Sequence, residues 1–373
     1  MKILLLQEAL KKTYIFNDLP IDFYLSEKIM ESIFYKISFV ITFAIITLVA
    51  IKGSTKITSA TGFSLADRSL PFTGVSWIII GTLVGGVSTI GTVQTAYTHG
   101  ISACIFTFGS GISCFLLGCF FAKALREEGV VTVSEYLGRY FGQKFRYYSS
   151  FFNSLGMFIH VVGQFLASIA ILQAVFGLGD VVSVLLTLVL IGVFVVSGGI
   201  TGAGLIGKIK FYMLYVIMLV SAGVALKNGG GLQNIINTLP SDAHLMSFTG
   251  YGYKSAAVDM FSMVIGVLST QIYLQAIFSA KNVKEARNGA FLSAAIIPPI
   301  GVLGIIIGLY LRANFPDISE NAAQALPFFL YQSFPPVIAA FFSAGLLLIV
   351  LGTGAGLVLG VTTNIYSDFI CQY

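Results

Sequence analysis

Two glycine-centred clusters and two polar pairs hold the residues of this sequence best suited to chemistry. Gly85-Gly86 interrupts the apolar run from Gly74 to Gly100 at its centre, and Ser88, Thr89, Thr92, Gln94 and Thr95 follow on adjacent turns. A span in lipid keeps its backbone paired because lipid offers no partner, so glycines and hydroxyls at mid-depth favour a local opening onto a wet cavity. Carbonyls and amides freed there can hold an ion or a polar solute. Close helix packing through small residues is the competing reading. Gly352, Thr353, Gly354 and Gly356 form the second cluster, again within an apolar run. A threonine hydroxyl beside the carbonyls of a broken helix suits a hard cation such as sodium, which prefers oxygen ligands; small-residue packing is again the alternative.

His160 and Gln164 are one helical turn apart and share a face. Polar groups at membrane depth face a cavity or a partner, so His160 is either a structural hydrogen-bonder or a solute contact. Gln271 and Gln275 repeat that spacing, with Gln271 deeper in its span and the better cavity candidate. No nucleophile–base set, HExxH motif or phosphate loop is present, so an enzyme reading has no support. The glycine-rich stretch at 198–204 joins two apolar runs and lacks the strand–helix setting that a nucleotide site needs. Cys104, Cys114 and Cys119 lie in one apolar run without ligand spacing and read as packing residues, and Cys371 stands apart.

The elements that position these residues are spans. The 373 residues are 56% hydrophobic and only 10% charged, against about 25% charged in soluble domains, which places the chain among polytopic membrane proteins. Apolar windows fall at 36–52, 71–98, 101–125, 147–176, 181–200, 206–226, 256–279, 288–311 and 336–365, nine in all. One set of loops holds thirteen Lys and Arg residues, among them Lys208 and Lys210, and the opposite set holds three. The positive-inside bias puts the rich set in the cytoplasm, the N-terminus and the tail at 1–35 outside, and the C-terminus inside. The loop at 227–255 is then external, with a short amphipathic stretch from Leu232 to Leu239 as a gate or a cap. Pro298-Pro299 predicts a kink in the eighth span.

Several segments carry a resemblance. LADRSLP at 65–71, GGVSTIGTVQTAYTHG at 85–100, TVSEYLGRYFG at 132–142, SGGITGA at 197–203, QIYLQAIFSAKNVKEARNGA at 271–290 and the span from Ala344 to Asp368 resemble the sodium:solute symporter family. Members import sugars, amino acids, vitamins and other small solutes. The resemblance implies an all-α polytopic membrane protein of about nine transmembrane helices with a leucine-transporter-like inverted-repeat core. It would comprise an extra helix at 36–52, a first five-helix repeat at 71–226, and a partial second repeat of three helices at 256–373, the last two core helices being absent. The chain ends on leaving its ninth span and so looks truncated.

The resemblance also implies sites. Sodium would be held by carbonyls of Gly81 and Val84 with Ile349, Gly352 and Thr353; solute would be held by Ser88, Thr89, Thr270 and Gln271, joined by His160 and Gln164. Three positions depart from the family pattern: Gly352 where members carry a hydroxyl residue, Gly207 where many carry Asp, and Ala355 where many carry an acid. Lys208, next to Gly207, is a candidate surrogate for the ion; the alternative makes it, like Lys210, a cytoplasmic loop charge. The expected protein is a secondary active transporter of the inner (plasma) membrane, symporting a small neutral or zwitterionic solute with sodium by alternating access and needing no cofactor. A proton-coupled or ion-independent transporter using Lys208 is one alternative. A sensory membrane module is another, since similar domains occur fused to signalling kinases.

Overall fold

The computed structural model describes residues 21–52, 60–196, 199–240, 244–316 and 322–371; among these the regular structure is helical apart from one isolated bridge pairing Leu70 with Ala280. The helices are α1 (Ile21–Lys52), α2 (Ala60–Leu65), α3 (Phe72–Leu83), α4 (Thr92–His99), α5 (Cys104–Leu116), α6 (Ala122–Glu127), α7 (Val133–Phe141) and α8 (Gln143–Phe176). They continue as α9 (Asp180–Val196), α10 (Gly199–Asn228), α11 (Leu232–Thr238), α12 (Tyr253–Ser269), α13 (Gln271–Phe278), α14 (Val283–Asn314), α15 (Ala325–Ser333) and α16 (Pro336–Ile365).

Among the described residues, five helical stretches are long and apolar enough to cross a membrane, or six if the pair α12–α13, bent by 42° at Thr270, is one span. The stretches Ile33–Leu48, Phe72–Leu83 and Asp180–Val195 are apolar but shorter. Each of the nine expected windows therefore falls on an apolar helix, yet several are interrupted, so length alone counts fewer spans. The extra helix differs in its start: α1 begins at Ile21, inside the stretch expected to be a tail, and residues 1–20 of that tail lie outside the described residues. Tyr35 of α1 donates its hydroxyl hydrogen to Ser343 Oγ of α16 at 2.9 Å, anchoring it to the core.

The core is built around α16, whose apolar window is 83% buried. It lies against α8, α1, α10, α9 and α3. The molecule's outside is apolar instead: Phe120, Phe152, Val181 and Phe261 are each at least 65% exposed, as lipid-facing residues are. Local signals set the remaining ends. Thr132 caps α7 by accepting the Glu135 N–H at 2.9 Å, and Asn282 does the same for Glu285 N–H in α14. Helix α14 runs unbroken across Pro298-Pro299, and the Pro298 ring seats against Gly111, where a Cβ would come within 2.5 Å of it.

Candidate functional site

The break expected at Gly85-Gly86 is present, and its hydrogen bonds explain how it stays open. Helix α3 ends at Leu83, and Val84 is extended (φ −88°, ψ 100°). The two amides that would continue the helix are diverted. Gly85 N–H donates to Ser88 Oγ at 2.8 Å, and Gly86 N–H donates to Gln164 Oε1 of α8 at 2.8 Å. Gly85 O in turn accepts the hydroxyls of Ser88 (3.1 Å) and Thr89 (2.8 Å). Glycine is required at 85 because a Cβ there would lie 2.5 Å from Gln164 Oε1 and 2.6 Å from Thr353 Oγ1. A π-helical turn, Val87–Gly91, then leads into α4.

The freed carbonyls converge on α16. Thr353 Oγ1 lies 3.3 Å from Gly81 O, 3.1 Å from Val84 O and 3.0 Å from Ile349 O. Four of the five residues expected to hold sodium thus contribute oxygens to one buried spot, with Gly352 beside it. A hydroxyl has a single proton to donate, so this spot is richer in acceptors than in donors. The donor comes from an unexpected residue. Lys210 of α10 reaches in, its Nζ donating to Gly81 O at 2.5 Å and to Thr353 Oγ1 at 2.6 Å, with the residue only 2% exposed. Lys208, the candidate surrogate, is exposed, as its alternative reading as a loop charge has it. Two residues apart on a helix lie on opposite sides, so when Lys210 points inward Lys208 points out. Lys210 is therefore not a loop charge.

None of the expected solute contacts lines the cleft near His99. Ser88 and Thr89 are buried and bonded to the backbone of the break. Gln164 holds Gly86 through its oxygen, and its Nε2 has no partner among the described residues. Gln271 accepts Val133 N–H at 2.9 Å and donates to Val131 O at 3.0 Å, pinning the entry to α7. Thr270 sits at the α12–α13 bend, its hydroxyl donating to Gly266 O at 2.6 Å. His160 is half-buried, with Nε2 enclosed and without a partner among the described residues.

The cleft lies elsewhere, toward the far end of α4. It has a volume of 390 Å³ and is lined by Thr92, Thr95, His99, Tyr251, Asp259 and Ser262 among others. Thr92 and Thr95 follow the break and carried a polar signal in the sequence; Asp259 was missed, although an acid inside an apolar span is itself a signal. Tyr251 donates its hydroxyl hydrogen to Asp259 Oδ2 at 2.9 Å, and burial together with that carboxylate pushes the phenol above its usual range. At the other end of the helices a polar network ties α16 to α7 and α8. Arg146 Nε pairs with the buried Asp368 Oδ1 at 2.8 Å, Thr132 Oγ1 donates to the same oxygen at 2.8 Å, and Arg146 Nη2 reaches Ser367 O at 3.0 Å. Asn364 bonds Asn153 Oδ1 and Ser154 Oγ nearby.

Comparison with known proteins gives one consistent answer. The model of the sodium:solute symporter family matches residues 63–372. The high-affinity choline transporter 1 of Drosophila melanogaster is 24% identical over 298 residues, 75% of this chain and 47% of its own length. The sodium/glucose cotransporter of Vibrio parahaemolyticus is 22% identical over 355 residues, covering 86% of this chain and 65% of that protein. A solved structure described as the substrate-bound outward-open state of a Na+-coupled sialic acid symporter, with a novel Na+-site, superposes with a TM-score of 0.75 at 19% identity, covering 90% of this chain and 74% of its own. At that identity the likeness shows the fold. The chain spans about half the length of several of the curated relatives it matches, and 47% of the first.

Proposed function

Because this multi-pass membrane chain belongs to the sodium:solute symporter family, we propose that it forms the core of a secondary active transporter carrying a small organic solute by alternating access. The observation that carries this reading is the broken α3–α4 span, held open by Gln164 of α8 and facing Thr353 of α16. A second bent span, broken at Thr270 between α12 and α13, meets the same helix α8 further along, where Gln271 N–H donates to Asn153 Oδ1 at 3.2 Å. Paired broken helices are the means by which membrane transporters present backbone groups to a solute without exposing them to lipid.

In this reading the cleft is the open end of the pathway and the opposite end is shut. The cleft of Thr95 and His99 lies on the side of the loop at 227–255, and the Arg146–Asp368 network seals the other end. Transport would proceed by loosening that network while closing the cleft. The cleft offers hydroxyls and one carboxylate, Asp259, which suits a neutral or zwitterionic solute with an ammonium or hydroxyl group better than a strong anion. The protein would reside in the cell's inner (plasma) membrane, with the sealed end toward the cytoplasm.

The test is solute counterflow in proteoliposomes containing the full-length protein, run over a panel of labelled sugars, amino acids and quaternary amines. Accumulation of one class above empty liposomes, lost in a folded Gly85→Val variant, supports the reading. No accumulation of any class would sink it.

A further inference from the structure

The oxygen-rich spot beneath the break has the chemistry of a hard-cation site, yet it does not fit a sodium ion in this chain. Two of its four oxygens, Gly81 O and Thr353 Oγ1, both accept from Lys210 Nζ. An ion ligated by that pair would overlap the nitrogen. We infer that Lys210 is a tethered occupant of this site, filling from within the position of the coupling cation, so that the chain does not bind sodium there.

This deepens the transporter reading and rests on its ion-site geometry. Three features of the sequence that look unrelated combine into one arrangement. At Gly207 a Cβ would lie 2.1 Å from Trp77 O, so glycine there lets α10 press directly onto α3. Lys210 is one turn further along the same face and is thereby brought within reach of the break. At Gly352 a Cβ would lie 2.9 Å from Ile206 Cγ2 and 3.0 Å from Lys210 Cδ. A side chain at 352 would crowd the lysine stem, and glycine leaves its path clear. None of the three ion pairs among the described residues includes Lys210. Its recorded partners are neutral oxygens of the set a sodium ion would use, and a lysine brings three donors and no acceptor to them. Occlusion is steric as well as electrostatic, so it holds for either protonation state of the amine.

The test uses the purified full-length protein and sodium alone as the probe, with potassium chloride keeping ionic strength constant. Binding of radioactive sodium and the thermal midpoint are followed in the parent, in Lys210→Ala and Lys210→Met, and in each with Thr353→Ala added. The expected result is no saturable sodium binding at this site by the parent. The lysine variants would gain it, with a rise of roughly 5 °C in midpoint at sodium near a hundred times Kd, and would lose it again with Thr353→Ala. Sodium binding by the parent that Thr353→Ala abolishes would overturn the inference, and so would folded lysine variants that bind none. Should neither variant fold in either salt, the parent titration decides, Thr353-dependent binding overturning the inference and its absence supporting it. No solute enters this measurement, so a failure of the transport reading leaves its result standing. Thr353-dependent sodium binding by the parent would overturn the inference without touching transport.

Discussion

Gln164 and Gly352 are the single side-chain positions on which the site most visibly depends. Gln164 Oε1 is the recorded acceptor of the buried Gly86 N–H. Gln164→Leu is expected to leave that amide unpaired and cost about 1–3 kcal/mol, read as a lower thermal midpoint, whereas Gln164→Glu keeps an acceptor in place. Gly352→Ser is expected to cost about 1–3 kcal/mol by crowding Lys210 and Ile206, and distinctly less when Lys210 is already alanine. Additive losses in that double-mutant cycle would mean that the serine clashes with Ile206 alone. The same residues show what could be read beforehand. Gly81, Val84, Ile349 and Thr353 were identifiable through the family resemblance, because backbone carbonyls at a break serve whatever the neighbouring side chains are. Lys210 counts among the loop charges by the positive-inside bias, and its presence there argues for reading Lys208 the same way. Helical phase held the better signal: Ile206, Gly207, Leu214, Ile217, Met218 and Ser221 form a buried stripe that includes position 210 and excludes 208. Ser88, Thr89 and Gln271 read in the sequence as solute contacts, since a polar group at membrane depth needs a cavity or a partner. Their partners proved to be backbone groups, a choice that residue type alone does not make.

At the scale of elements, spans were legible because twenty or so apolar residues have few other uses, and Gly100 (φ 66°), where α4 gives way to α5, marks a turn that separates two of them. What could not be read was where a span is interrupted and what ties helix ends together. The π-turns Val87–Gly91 and Tyr366–Ile370 leave no periodic trace in composition. The second of them carries Asp368, which joins α16 to α7 and α8 through Thr132 and Arg146, partners more than two hundred residues away in sequence. Asp368 is fully buried, so Arg146→Ala would strand a carboxylate and is expected to weaken this end by about 3–5 kcal/mol. Hydrogen exchange should accelerate at residues 366–370 and at the start of α7 while the amides of mid-α16 stay protected. Unchanged exchange at 366–370 would remove this network from the role of inner seal.

Over the whole molecule, the direction of the cleft depends on which way the chain crosses the membrane, and charge argues for one answer. Loops on one side hold thirteen Lys and Arg residues against three on the other; removing Lys210, now placed inside the protein, leaves that bias intact. The rich side includes Arg139 and Arg146, at the sealed end; the poor side includes Lys254, next to the cleft. The expected topology therefore has the sealed end and Cys371 in the cytoplasm and the cleft outside. Cysteine chemistry can check this on the intact protein, because Cys371 is exposed while Cys104 and Cys114 are buried. In a Cys119→Ser background, a membrane-impermeant maleimide added to right-side-out vesicles should leave Cys371 unlabelled until the membrane is permeabilised. A cysteine at the exposed Thr249, in the loop beside the cleft, should label at once. The reverse pattern would turn the cleft toward the cytoplasm. The Arg146–Asp368 network would then be an outer seal, and loosening it would admit solute from outside instead of releasing it within.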